Sequence, residues 1–489
     1  MVHAVASPIP VARGALPLVG HALAMLRGPV GFLSSLAGQG DLVRIALGPV
    51  KAIMVCDPDL VHRMFVDDRT FDKGGPFTDR AREIVGNNLA FCPHADHRRQ
   101  RRLLQPAFHP ARLPAYGRIM SEQIAERVDA WHDGEVIDVP AQMTMLTTNV
   151  LTATLFSDQL TPARLRQSQQ DADTLATDIL PRMLMPDALA RLPLPPNRRF
   201  RRASERMRAT IESIVAARRA EGERRAEARG RGVADGVGGS TGEGVDGAGV
   251  DGAGGDRGDL LSALLAAYDG ESTGADRTLS DVEVVNQVMT FHLAGSETTA
   301  TTLAWALHLI ATHPDVERRL RAELDTVLGG RTATYDDLPR LGLTGRVVTE
   351  TLRLYSPAWL LTRKVTADTT LGPHPLPAGT VLACSPYLIH HRADLFEDPE
   401  RFDPDRWDES LRTPPPRGAF LPFASGARKC IGDRFSLVEA TLALASVVAR
   451  WRFTHLPGER DVQPAVAAVV RPRRLRMRVN RPDIGPAHQ

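Results

Sequence analysis

Residues 423–432 read "FASGARKCIG", and the stretch that follows, "DRFSLVEATLALASVVARW", has the length and apolar content of a long buried helix. A thiol kept for packing belongs inside an apolar strand or helix. Cys430 instead follows a glycine turn, stands beside Arg428 and Lys429, and immediately precedes a helix. A helix N-terminus, nearby cations and metal ligation each lower a thiol pKa. Gly426 admits a tight turn with positive φ, and Gly432 lets a flat macrocycle approach the helix backbone closely. Phe423 can cover the sulfur side, and Arg428 can pair with a propionate. The stretch therefore offers what a thiolate ligand to a porphyrin iron would demand. A loop with a free surface cysteine is the bland alternative, and the pattern of Phe423, Gly426, Arg428, Cys430 and Gly432 is too specific for it.

The rest of the chain sets the context. Its 489 residues suggest two or three domains on length alone. A composition of 43% hydrophobic and 24% charged residues is that of an ordinary globular protein, and a net charge of +2 gives no reason to expect nucleic acid as a partner. Cys56, Cys92, Cys384 and Cys430 lie far apart with no CxxC spacing. A disulfide framework or zinc site is therefore not expected, and a reducing cytoplasmic location is. The N-terminal stretch "ALPLVGHALAMLRGPVGFL" is broken by His21, Arg27, Gly28 and Pro29. It falls short of the ~20 apolar residues of a membrane span, and no signal peptide precedes it.

Along the chain, "DLVRIALGPVKAIMVC" (41–56) alternates around Gly48-Pro49 and predicts a hairpin. Residues 79–220 are mostly helical in pattern. The segment 229–258 is rich in glycine and aspartate and predicts a disordered insertion loop, with a domain linker as the other reading. A short helix over "DLLSALLAAYDG" and a long one from Ser280 to His313-Pro314 follow; Ser280 and Glu283 form a capping box. Residues 333–357 read as a helix ending at Pro357, and short strands and turns follow. The fold class is mainly α with a minor β region.

The five-residue cysteine pattern resembles the haem-binding signature of the cytochrome P450 family, and further stretches match in the right order from "LPLVGH" to the last helix. "AGSETT" places Ala294 over the haem and carries the family's proton-guiding acid and alcohol onto Glu297 and Thr298. Gly295 and the threonines are expected to open the helix locally. "ETLR" brings Glu350 and Arg353 together, and "PERFDPDRW" offers Arg401 as third member of a network beneath the haem. His97 and Arg101 stand where the family holds a propionate, and Arg363 matches another propionate partner.

The resemblance implies a P450 fold with a single haem domain, haem b (iron protoporphyrin IX) as cofactor, and monooxygenation with dioxygen. Electrons would come from a ferredoxin and its ferredoxin reductase, since no flavin or nicotinamide domain follows the haem segment. The run Arg98, Arg99, Arg101 and Arg102, with Lys429, could form a positive face for an acidic ferredoxin. Phe291, Ala294, Pro357 to Leu361, 72–95 and 465–470 would wall a pocket for a hydrophobic small molecule, with His292 facing either the pocket or the packing. Similarity to actinobacterial members that oxidise sesquiterpenes suggests a terpene substrate and a monomer in the cytoplasm. Peroxide-driven oxygenation and a non-catalytic haem-binding role are the alternatives, and both leave Glu297 and Thr298 without a purpose.

Overall fold

The computed structural model describes residues 8–157, 161–184, 189, 191–234, 257–410 and 412–482. The predicted hairpin forms: β1 (Leu42–Leu47) pairs antiparallel with β2 (Val50–Val55). They join β3 (Phe71–Asp72), β4 (Leu361–Val365) and β5 (Val381–Cys384) in one sheet of order β1-β2-β5-β4-β3, where only β2 and β5 run parallel. One apolar core lies against this sheet, built on residues such as Val43, Met54, Phe65 and Leu382. The larger core is helical.

At the centre of that helical core runs α5 (Asp281–Thr312), with the expected capping box between Ser280 and Glu283. It is buried along most of its length, and from Thr299 to Ile310 on every side. Around it pack α1 (His94–Leu104), α2 (Val139–Phe156), α3 (Pro162–Leu184), α4 (Pro195–Ala234) and the last helix, α6 (Asp433–Arg450).

Two expectations shift. Residues 333–357 are not one helix but a 3₁₀ turn, Tyr335–Arg340, and a helix, Gly342–Leu354. Asp337 caps the turn through Thr334, and Pro339 cannot continue it into the next helix. α4 continues through Gly230 and Gly232 to Ala234, so the first residues of the expected 229–258 loop are helical; residues 235–256 lie outside the described residues.

Candidate active site

The cysteine loop sits on the seam between the two cores: Phe423 and Ile431 pack on the helical core, Ala424 and Leu421 on the sheet core. Gly426 has φ +71°, and a Cβ there would overlap the Phe65 carbonyl. Glycine is therefore required twice over, for conformation and for space. The Cys430 N–H donates to the Phe423 carbonyl (2.9 Å) and the Lys429 N–H to the Gly426 carbonyl (3.1 Å), which fixes the loop. Burial of the loop pushes the Cys430 thiol up, while the Gly432 amide, Arg101 and Lys429 favour the thiolate. Cys430 as a residue is nonetheless exposed. Gly432 has an ordinary φ of −94°, so its backbone does not demand glycine.

Beside the loop, cations gather. Arg428 is buried and its donors are all engaged, with Asp68 (3.2 Å), Asp72 (2.7 Å) and the Cys92 carbonyl (2.7 Å). Arg363 is 1% exposed, stacks over Phe65, and has Nε and Nη2 without partners. Burial, against the nearby Cys384 and with Arg428 adding to it, pulls its pKa down to about 10. Lys73, which the sequence reading missed, is held down to about 7 by burial and then by Arg363 and Arg428. His97 is pulled to about 4 by burial, Arg428, Arg101 and Lys73, so it is neutral and can donate from one nitrogen. Arg101 turns toward the cysteine loop, with Nη1 donating to the Lys429 carbonyl at 2.6 Å. Unpaired buried guanidinium donors are costly unless an anion meets them. The propionates of a haem whose iron faces Cys430 fit that need.

On α5, the Thr298 hydroxyl donates to the Ala294 carbonyl (2.9 Å), and Ala294 is exposed on the same face. Burial raises the Glu297 pKa, with Arg471 opposing and Asp173 reinforcing. Gly295 does not mark an opened helix, since α5 is continuous there. It makes room for α2, because a Cβ would come within 3.0 Å of Leu151. Next along, the Thr299 hydroxyl approaches Ser436 (3.1 Å) and donates to Glu439, a fully buried carboxyl on α6 whose pKa is raised far above normal. Glu439 was not found by sequence reading, since an acid within an apolar helix carries no local signature.

The network expected around Glu350 is present with a different third member. Arg353 grips the carboxylate at 2.8 and 2.9 Å, and Trp407 Nε1 donates at 2.8 Å. The second guanidinium is Arg406, at 3.4 Å and buried; Arg401 contributes only its backbone carbonyl, to Arg353. The "PERF" and "PDRW" runs each offer an arginine, and the turn at Pro404–Trp407 swings the second one inward.

The basic run is largely neutralised. Arg99 pairs with Glu283, Arg102 with Asp269 and Glu271, and Arg98 approaches Glu271. Across the site, Pro357 to Leu361 meets the 465–470 turn: the Val470 N–H donates to the Pro357 carbonyl and Trp359 Nε1 to the Ala467 carbonyl. His292 faces α3 through Ser168 (3.4 Å), and Phe291 packs edge-on against Phe108.

A sulfur donor on a loop beside clustered cations, of which buried Arg363 has unpartnered donors, suits a flat iron macrocycle that carries carboxylates, the arrangement of a haem-thiolate protein. A family model described as cytochrome P450 matches residues 10–478, and the chain belongs to that family. It is 41% identical to pentalenene oxygenase of Streptomyces avermitilis over 96% of both chains. Cyclooctat-9-en-7-ol 5-monooxygenase of Streptomyces melanosporofaciens is 40% identical, over 91% of this chain and 90% of that one. Cyclooctatin synthase of the same organism is 42% identical, over 92% and 90%. The crystal structure of the cytochrome P450DA heme domain superposes with a TM-score of 0.79 at 27% identity, covering 97% of this chain and 98% of that one. The cofactor is haem and the enzyme is a P450 monooxygenase. Among the described residues no helix is long and apolar enough to cross a membrane.

Proposed function

We propose that the chain is a monooxygenase of terpene hydrocarbons or their lightly oxidised derivatives, acting as a monomer in the cytoplasm with electrons from a ferredoxin and its reductase. The carrying observation is an exposed Cys430 fixed by the Gly426 turn, together with the unpartnered donors of buried Arg363, which neighbours Arg428 of the same loop. Arg363, Lys73 and His97 would hold the propionates, and Arg101 and Arg428 would brace the cysteine loop and its surroundings. When bound, thiolate-ligated haem supplies dioxygen activation. Glu297, whose pKa burial raises, can carry a proton; the Thr298 oxygen can accept it and release its own toward the haem side. The names of the three relatives, together with the apolar wall made by Trp359, Val469 and Val470, support the substrate class. Arg101 borders the cysteine loop and supports docking of an acidic carrier there, while Lys429 is already paired with Asp433 at 2.6 Å.

Cys430→Ser should retain the fold and lose the thiolate signature in the carbon monoxide spectrum of the reduced protein; an unchanged spectrum would remove Cys430 from the iron. For the substrate, terpenes and fatty acids titrated against the haem absorbance should separate. Terpenes should give saturable spectral shifts and hydroxylated products with a ferredoxin couple. Turnover of fatty acids alone would sink the assignment.

A further inference from the structure

A cleft of about 320 Å³ opens between the helix Pro76–Val85, the end of α3 and the first turns of α4. Arg80, Arg182, Arg191 and Arg201 line it, against Glu83 and Glu205. Glu83 is committed to Arg80 at 2.6 Å. Arg182 is 7% exposed, so it is a buried cation, and no carboxylate pairs with it among the described residues. Its Nη2 donates to Asn197 Oδ1 (2.8 Å) and the Pro196 carbonyl (3.1 Å), its Cζ lies 4.1 Å from the centre of the Phe200 ring, and Nε has no partner. Arg191 and Arg201 are exposed, and neither has an ion-pair partner among the described residues. A buried guanidinium held over a ring, with one donor unpartnered and two exposed, unpaired arginines lining the same cleft, suits an oxyanion. Burial disfavours the charge of Arg182, Asp178 opposes this, and Arg201 and Arg80 add to the penalty, which an anion would relieve.

We propose that this cleft is a binding site for a small oxyanion, a phosphate or carboxylate group, with Ile84 and Phe200 accepting a short apolar attachment. The ligand would bridge the helix Pro76–Val85 to α3 and α4. Because 72–95 is read as a wall of the substrate pocket, occupancy should also tighten substrate binding, a consequence that rests on the proposed function. Binding itself does not.

The test uses the haem-loaded full chain, titrated calorimetrically with inorganic pyrophosphate and with octanoate at ionic strength held by potassium chloride. One of the two should bind saturably, and which one does identifies the headgroup. The double variant Arg191→Ser/Arg201→Ser alters only exposed side chains and should weaken binding at least tenfold. Arg182→Lys should weaken it at least as much. If Arg182→Lys fails to fold, the exposed double variant decides alone. No saturable binding of either anion, or equal affinity in the exposed double variant, overturns the site. Binding that persists without any effect on substrate affinity would leave the site standing and count against the substrate wall instead.

Discussion

Glu439 is a carboxyl that receives a hydrogen bond from Thr299, leaves Oε1 unpartnered, and is 1% exposed. Burial holds its folded-state pKa far above the unfolded value, so the native protein keeps the proton that the unfolded chain releases. Its contribution to stability is fully present below the unfolded pKa and is lost as pH rises from there toward the folded pKa. Glu439→Gln mimics the neutral form. It should therefore be at least as stable as the parent at pH 8 and show a flatter pH dependence in urea unfolding between pH 5 and 8; a less stable, equally pH-dependent variant would mean the carboxyl is ionised. Glu297 follows the same logic at the site of chemistry. Product formed per electron consumed should fall as pH rises through its raised pKa, and Glu297→Gln should lose that dependence. Thr298→Ala should divert electrons to peroxide, read as peroxide released per electron consumed. Residues such as Glu297, Thr298 and Cys430 were legible because each stands in a short pattern that breaks its surroundings. Lys73 and Glu439 were not, because what singles them out is burial among distant partners.

At the level of elements, the cysteine loop and the turn carrying Arg406 are held by different physics. The loop depends on one backbone conformation: Gly426→Ala would strain φ and push against the Phe65 carbonyl. That variant should bind haem poorly after reconstitution, with loss of the thiolate spectrum ahead of any loss of helical content. The turn depends on buried charge. Removing Arg406 leaves Glu350 with Arg353 and Trp407, so Arg406→Ala should cost about 2–3 kcal/mol, below the ~3–5 kcal/mol of a fully broken buried pair. Arg401→Ala keeps the carbonyl that Arg353 uses and should stay within about 0.5 kcal/mol. Denaturant unfolding of both variants separates the two assignments, and equal destabilisation would contradict the geometry. Sequence patterning could say that an arginine follows Glu350 here. It could not say which, because both runs present one, and only the direction of the turn chooses.

Across the whole molecule, α4 shows where packing stops and chain merely continues. Its buried positions Phe200, Ala203, Met207, Ile211, Ile214, Val215 and Arg218 keep helical spacing, and Arg218 closes the series through Asp259 and Ser262. Beyond Arg218 no described side chain of α4 is buried. The helix nevertheless runs about 20 Å past Glu221 to Ala234, sustained by the helix-favouring Glu, Arg and Ala of "ERRAEAR". That propensity carries the helix into the first residues of the glycine-rich segment. The chain then returns to Arg257, whose guanidinium meets Glu221 at 2.5 Å. Both ends of the excursion are thus anchored by contacts that do not involve it. Replacing 226–256 with about five Gly/Ser residues should leave haem content and the thiolate spectrum unchanged. Loop closure varies by only about 0.6 kcal/mol per doubling of length, so Tm should move by less than about 3 °C. A larger fall in Tm, or loss of haem, would show that the insertion packs on the haem domain and is not a separate excursion.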